Sequence, residues 1–231
     1  MKRLIVANWK MNGSIQLIQD FRSLKEVRGT DAIICPPACY LPLFTGTSIK
    51  FGAQNCHSAN SGAFTGEISA TQLKELGCSY VILGHSERRA QFNETDSMIK
   101  HKATQAIEHG LTPIICIGET YEERHENRFE QALLSRLDRS THRLNPQRYV
   151  IAYEPIWSIG TGLVATPNDI QAVITLIQHR LGDNTSILYG GSVNDTNAKS
   201  LSNIPGLNGV LVGGASLNVA TFQSIVDAFQ V

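Results

Sequence analysis

The sequence predicts an α/β chain that closes as a (β/α)8 barrel, eight parallel strands ringed by helices. Three observations predict it. Short β-branched runs alternate with stretches of helical period along all 231 residues. The runs are continuously apolar, the pattern of a parallel sheet covered on both faces. Eight strand–helix units average about 29 residues each, the size of a βα unit, in a fold that usually needs roughly 250. An open doubly wound sheet has the same periodicity and stays open as the second possibility. No linker, low-complexity tract or shift of composition divides the chain, so residues 1–231 read as one domain.

The strand runs are Leu4–Ala7, Ala32–Cys35, Lys50–Ala53 (the weakest), Tyr80–Leu83, Ile114–Ile117, Val150–Tyr153, Ile187–Tyr189 and Val210–Val212. Three helices carry explicit signals. Asn93, with Asp96 three residues on, reads as an N-cap. Ile99, Ala103, Ala106 and Ile107 follow as an apolar stripe, which Gly110 ends. Thr166-Pro167-Asn168-Asp169 starts another helix with proline in its first turn. Ile170, Val173, Ile174, Ile177 and Leu181 carry its stripe, and Gly182 stops it. Near the end, Val219, Phe222, Val226 and Phe229 share one face.

Composition narrows the function classes. With 42% hydrophobic residues the chain has enough apolar mass for a core. Twenty basic residues balance twenty acidic ones and form no basic footprint, so no nucleic-acid partner is expected. No apolar run approaches the ~18 residues that span a bilayer, and the N-terminus lacks a signal-peptide pattern, so no membrane partner is expected. The five cysteines, Cys35, Cys39, Cys56, Cys78 and Cys116, form no Cys-x-x-Cys pair. Several lie in apolar runs and read as reduced core residues, which points to a cytoplasmic protein.

In a parallel barrel the catalytic groups gather where strands end. Glu154 stands at the end of Val150–Tyr153 and is followed by Pro155-Ile156-Trp157-Ser158-Ile159-Gly160-Thr161-Gly162. A strand-end glutamate is ordinarily solvated or paired with arginine. Here a proline-stiffened exit and a glycine-rich flap suit a base on a rigid mount beneath a lid. His85 follows Val81-Ile82-Leu83-Gly84 and precedes a possible helical turn, whose positive end disfavours an imidazolium. A neutral imidazole there can donate to an oxygen acquiring charge. Lys10 comes just after the first strand, flanked by Trp9 and Met11, with Asn8 beside it. An ammonium at that depth would attract a phosphate dianion. Gly190-Gly191-Ser192 and Gly213-Gly214 follow the last two strands, where barrels commonly hold phosphate. Neither has the Gly-x-Gly-x-x-Gly spacing of a dinucleotide site, so no nicotinamide cofactor is expected. The charged run from Glu119 to Glu130 reads as a solvated helix face. The loop from Asn55 to Glu67 is long for a βα connection and reads as a partner-binding loop or a mobile excursion.

Together these motifs closely resemble triosephosphate isomerases. The resemblance runs in order through Asn8-Trp9-Lys10-Met11-Asn12, Gln54-Asn55, Gly62-Ala63-Phe64-Thr65-Gly66-Glu67, Gly84-His85-Ser86-Glu87-Arg88-Arg89, Cys116-Ile117-Gly118-Glu119, the flap after Glu154, Tyr189-Gly190-Gly191-Ser192 and Gly213-Gly214. It covers essentially the whole chain. The family is itself a standard illustration of a glutamate base beside a neutral histidine under a closing loop. The resemblance implies interconversion of dihydroxyacetone phosphate and D-glyceraldehyde 3-phosphate, with no cofactor and no metal. It makes Glu154 the base, His85 the electrophile, Lys10 and Asn8 the electrostatic pair, and Glu87 a carboxylate near Lys10. Gly160, Ser192, Gly213 and Gly214 match phosphate-binding positions, and Pro155 to Leu163 the lid. Thr65 matches the tip of a loop that enters a partner's site in a homodimer. The chain is short for the family. Leu163 stands where many relatives carry lysine, and Ser158 where many carry alanine. Schiff-base aldolases and the amino-sugar isomerases with paired aspartates are disfavoured by Glu154, Asn8 and Lys10. A non-catalytic phosphate-binding or scaffold barrel is the alternative from another class.

Overall fold

Apolar runs of four to six residues become strands that each pair in parallel with the next, and the last pairs with the first. The computed structural model describes residues 2–158 and 164–230. In order the strands are β1 (Arg3–Asn8), β2 (Thr30–Cys35), β3 (Lys50–Ala53), β4 (Tyr80–Leu83), β5 (Thr112–Ile117), β6 (Val150–Tyr153), β7 (Ser186–Tyr189) and β8 (Gly209–Val212). Closure rests on β1 against β8, with Leu4 opposite Gly209 and Val6 opposite Leu211. That pairing excludes the open sheet.

The unbroken hydrophobicity of the runs has a direct cause. Successive side chains point to opposite faces of a strand, and here both faces are dry. Leu4, Val6, Ile33, Cys35, Ile82, Ile114, Cys116, Val150, Ala152, Leu188 and Leu211 form one buried cluster, the barrel interior. Their chain neighbours Ile5, Ala7, Ile34, Leu83, Ile115, Ile151, Ile187 and Val210 belong to a second cluster shared with Phe21, Ile99, Leu133, Val173 and Phe222 of the helices.

The helices are α1 (Ile15–Phe21), α2 (Ala70–Glu75), α3 (Ser86–Gln91), α4 (Asp96–Glu108), α5 (Tyr121–His125), α6 (Phe129–Thr141), α7 (Pro167–Leu181), α8 (Ala198–Ser202) and α9 (Val219–Ala228). Between β2 and β3 the crossover is a 3₁₀ helix, Ala38–Phe44, with Pro42 inside it; proline supplies no N–H for an α-helical ladder. α7 begins at the capping box of Thr166 and Asp169 and stops at Gly182, whose φ is +96°. α4 corrects the N-cap reading of Asn93. The Thr95 side chain accepts the Met98 N–H at 3.3 Å, while Asn93 takes a left-handed φ of +52° in the preceding turn. Asp96 then opens the helix and meets Arg89 at 2.6 Å and Arg139 at 2.9 Å. Burial pushes its carboxyl up, but the Arg89 and Arg139 pairs outweigh burial and hold it below the usual range.

Cys35, Cys56, Cys78 and Cys116 are buried, Cys39 is exposed, and all are free thiols. Burial pushes the Cys56 and Cys78 thiols up to about 12. No helix among the described residues is long and apolar enough to cross a membrane.

Candidate active site

Strand parity decides which side chains reach the barrel rim. Leu4 and Val6 face inward, and two further steps of two give Asn8 and Lys10. Val150 and Ala152 lead in the same way to Glu154, Leu188 to Gly190, and Leu211 to Gly213. Asn8, Lys10, His85, Glu154, Gly190, Ser192, Gly213 and Gly214 line one cavity of about 320 Å³.

His85 breaks the parity of β4, and Gly84 is the reason. Its φ of +69° turns the chain out of the strand, and a Cβ there would lie 2.5 Å from Ile99 Cδ1. After the turn His85 becomes the N-cap of α3. Its Nδ1 accepts the Glu87 N–H at 3.2 Å, which leaves Nε2 to carry the ring proton. Nε2 lies 3.2 Å from Glu154 Oε1. The Nδ1 contact with the Glu87 carboxylate, at 3.6 Å, is too long for a hydrogen bond.

Glu154 is 1% exposed. Its N–H donates to Ile117 O at 2.7 Å, and Oε2 accepts the Ser86 N–H at 3.1 Å. Oε1 is buried with no hydrogen-bond partner among the described residues. The wall behind it is bare backbone: a Cβ on Gly190 would stand 2.9 Å from Glu154 Cγ. Cys116 sits against the same carboxylate; burial and the Glu154 charge push its thiol well above the usual range.

Lys10 adopts a left-handed φ of +52°, a conformation that costs a non-glycine residue about 1–3 kcal/mol. Three bonds hold it there. Its N–H donates to Asn8 Oδ1 at 3.1 Å, its carbonyl accepts Gln54 Nε2 at 2.8 Å, and its Nζ meets Glu87 Oε1 at 2.7 Å. Gln54 Nε2 also donates to Cys35 O, so it staples the turn after β1 to the end of β2. Glu87 itself lines an adjoining cavity of about 510 Å³, with Gln54, Gly66, Glu67 and Phe92.

Among the flap residues, Ile156–Ser158 form a 3₁₀ turn and Ser158 is buried. Ile159, Gly160, Thr161, Gly162 and Leu163 lie outside the described residues. The root of the flap corrects the reading of Glu119 as part of a solvated face. Glu119 is 0% exposed. Its Oε1 accepts the Tyr153 hydroxyl at 2.9 Å and Trp157 Nε1 at 2.8 Å, and its carbonyl accepts the Ile156 N–H at 3.1 Å. Arg124, at 3.6 Å from it, also pairs with Asp169 at the start of α7. Charge counting averaged Glu119 with its exposed neighbours Glu122 and Glu126; its position just past β5 was the signal that separates it.

Thr65 is exposed and lines neither cavity. Its loop is held compact by the stacking of His57 on Phe64, with ring centroids 4.2 Å apart. At its base Asn55 accepts from Lys102, a buried lysine paired with Glu94. No group of three or more His, Cys, Asp or Glu among the described residues could hold a metal ion.

This arrangement can take a proton from carbon at a dry carboxylate, polarise an adjacent oxygen with an imidazole and an ammonium, and hold an anion on the glycine side. The family model described as triosephosphate isomerase matches residues 3–229. A triosephosphate isomerase of Hahella chejuensis is 42% identical over 243 aligned residues, covering 98% of each chain. One from Wolbachia sp. subsp. Brugia malayi is 46% identical, over 98% of this chain and 97% of that one. The crystal structure of triosephosphate isomerase from Bartonella henselae superposes with a TM-score of 0.90 at 38% identity, covering 99% of both chains. The chain belongs to the triosephosphate isomerase family.

Proposed function

We propose that this barrel interconverts dihydroxyacetone phosphate and D-glyceraldehyde 3-phosphate through an enediolate, with Glu154 as the base. Glu154 removes a proton from the carbon next to the carbonyl and returns one to the neighbouring carbon. His85 Nε2–H donates to the carbonyl oxygen as it gains charge and moves a proton between the two oxygens. Lys10 stabilises that charge and attracts the phosphate, with Glu87 and Asn8 holding it in place. Ser192, Gly213 and Gly214, with Gly160 of the lid, take the phosphate. Pro155 to Leu163 closes over the site and keeps water from the enediolate. The reaction shifts protons within one molecule and needs no electron acceptor. The observation that carries this reading is the buried Glu154 oxygen, without a hydrogen-bond partner among the described residues and 3.2 Å from an imidazole nitrogen, in the same cavity as Lys10.

A coupled assay of the two triose phosphates tests it. Turnover without added metal or cofactor is expected. Protein that binds inorganic phosphate but never interconverts the substrates would favour a phosphate-sensing barrel instead.

Two further parts belong to the same proposal. The chain works as a homodimer in which the Thr65 loop enters the partner's 510 Å³ cavity. Support comes from the exposed Phe64 on that loop and from Met11 and Phe92, exposed apolar residues at the cavity's lining. Sedimentation should give twice the chain mass, and a persistent monomer would remove this account. Free thiols and a role in glycolysis and gluconeogenesis support a cytoplasmic location.

A further inference from the structure

We infer that Asn197, which lies outside the cavity, is a positioning residue for the phosphate-side loop and acts through both ends of its side-chain amide. This role rests on reading Ser192 and Gly213 as the phosphate side of the site.

The turn before α8 is closed by a reciprocal pair. Asn194 Oδ1 accepts the N–H groups of Thr196 and Asn197, each at 3.0 Å, and Asn197 Oδ1 accepts the Asn194 N–H at 3.0 Å. This is the logic of a capping box, in which the residue three positions on is usually Glu or Gln. A carboxylate would complete that pair as well as an amide. Asn197 has a second use for its side chain: Nδ2 donates to Ser192 O at 3.0 Å. Ser192 Oγ in turn donates to Ser158 O, at 3.2 Å, in the flap root. Ser192 is therefore held on one side by the start of α8 and on the other by the flap. Because a peptide is planar, fixing the Ser192 carbonyl also fixes the direction of the Val193 N–H. Ser192 and Val193 both line the cavity; Asn197 stands half-buried behind them. Only a side chain that accepts and donates at once closes the turn and holds the loop together.

The test compares the wild type with Asn197→Ala, using triose phosphate, inorganic phosphate as competitor, and glyceraldehyde as a substrate without phosphate. Isomerisation of glyceraldehyde is followed by deuterium uptake from D2O. Asn197→Ala removes two neutral hydrogen bonds, and loss of the one to Ser192 O should raise KM for triose phosphate and Ki for phosphate by about five- to tenfold. The kcat should stay within about twofold, and kcat/KM for glyceraldehyde should not change, because only the phosphate grip is loosened. If Asn197→Ala does not fold, Asn197→Asp keeps the acceptor that closes the turn and loses only the donor. Its weaker phosphate binding should persist at high salt, where the added charge is screened. Equal losses on both substrates would show a merely structural role and overturn the inference. So would unchanged KM and Ki. Wild-type turnover that phosphate does not inhibit would instead remove the phosphate-side reading, and this inference with it.

Discussion

Shortening the proposed base by one methylene, Glu154→Asp, separates position from chemistry. The carboxylate stays, but it retracts by about one carbon–carbon bond, roughly 1.5 Å. The backbone cannot advance to compensate. The Glu154 N–H is fixed on Ile117 O at 2.7 Å, and the Gly190 N–H is fixed on Tyr153 O at 2.8 Å. The wild-type oxygen lies 3.2 Å from His85 Nε2, so the aspartate falls out of reach of both the imidazole and the substrate carbon. A displacement of about 1 Å costs roughly 10²-fold in rate. The expected fall in kcat is therefore about 10²–10³-fold, or about 3–4 kcal/mol of barrier. The phosphate side is untouched, and KM should stay within about threefold. The assay is coupled turnover in both directions, with thermal unfolding as a check that the variant folds. An Asp variant with kcat within tenfold of the wild type would refute the rigid mount, and an active Glu154→Gln would refute the base itself.

Three other outcomes follow from the same geometry. Lys10→Met removes the ammonium from the cavity and should lower kcat/KM by about 10²–10³-fold; a loss under tenfold would place the charge stabilisation elsewhere. Glu119→Gln keeps the shape of a fully buried side chain but discharges the acceptor of Tyr153 and Trp157. Hydrogen bonds to charged groups contribute about 1.5–3 kcal/mol, and the urea midpoint should fall accordingly; an unmoved midpoint would refute the role at the flap root. Asp96 has a carboxyl held below its ordinary range in the folded chain, since its arginine pairs outweigh burial. Its stabilisation is complete above the unfolded value of about 3.9 and disappears as pH falls through the lower folded one. In urea titrations from pH 6 to pH 3, Asp96→Asn should be the less stable protein at pH 6 and converge on the wild type in acid. Parallel curves would contradict that linkage.

Legibility in the sequence followed element length and environment. Strands dry on both faces announce themselves as apolar runs. Lys50–Ala53 was the weakest because its first residue, Lys50, is exposed and pairs with Asp31. The thirteen-residue α4 and the fifteen-residue α7 show a period. The five-residue α5 and α8 make too few turns to show one. At α4 the cap falls on Thr95, two residues past the expected Asn93. Thr95 won because Asn93 is one of the side chains that tolerates a left-handed turn, and the chain needed that turn after Phe92.

The site divides along the same physical line. Counting by twos from Leu4 or Val150 reaches Asn8, Lys10 and Glu154 without any structure, and ring closure then places β1 and β6 around a single rim. Counting also places Gly118 on the inward face with Ile114 and Cys116, and Glu119 on the outward face with Ile115 and Ile117. An outward residue at a rim would be solvated if the strand stood alone. Here the chain leaving β6 folds back over it, and Trp157 and Tyr153 convert an exposed charge into a buried acceptor. No periodicity encodes that step, because it depends on what a segment 34 to 38 residues away does. Asn197 is hidden for a related reason. Its sequence neighbourhood specifies a turn, and only the carbonyl of Ser192 reveals why that turn uses an amide in place of a carboxylate. Groups proposed to meet substrate are legible from strand ends; groups that hold them depend on contacts between loops.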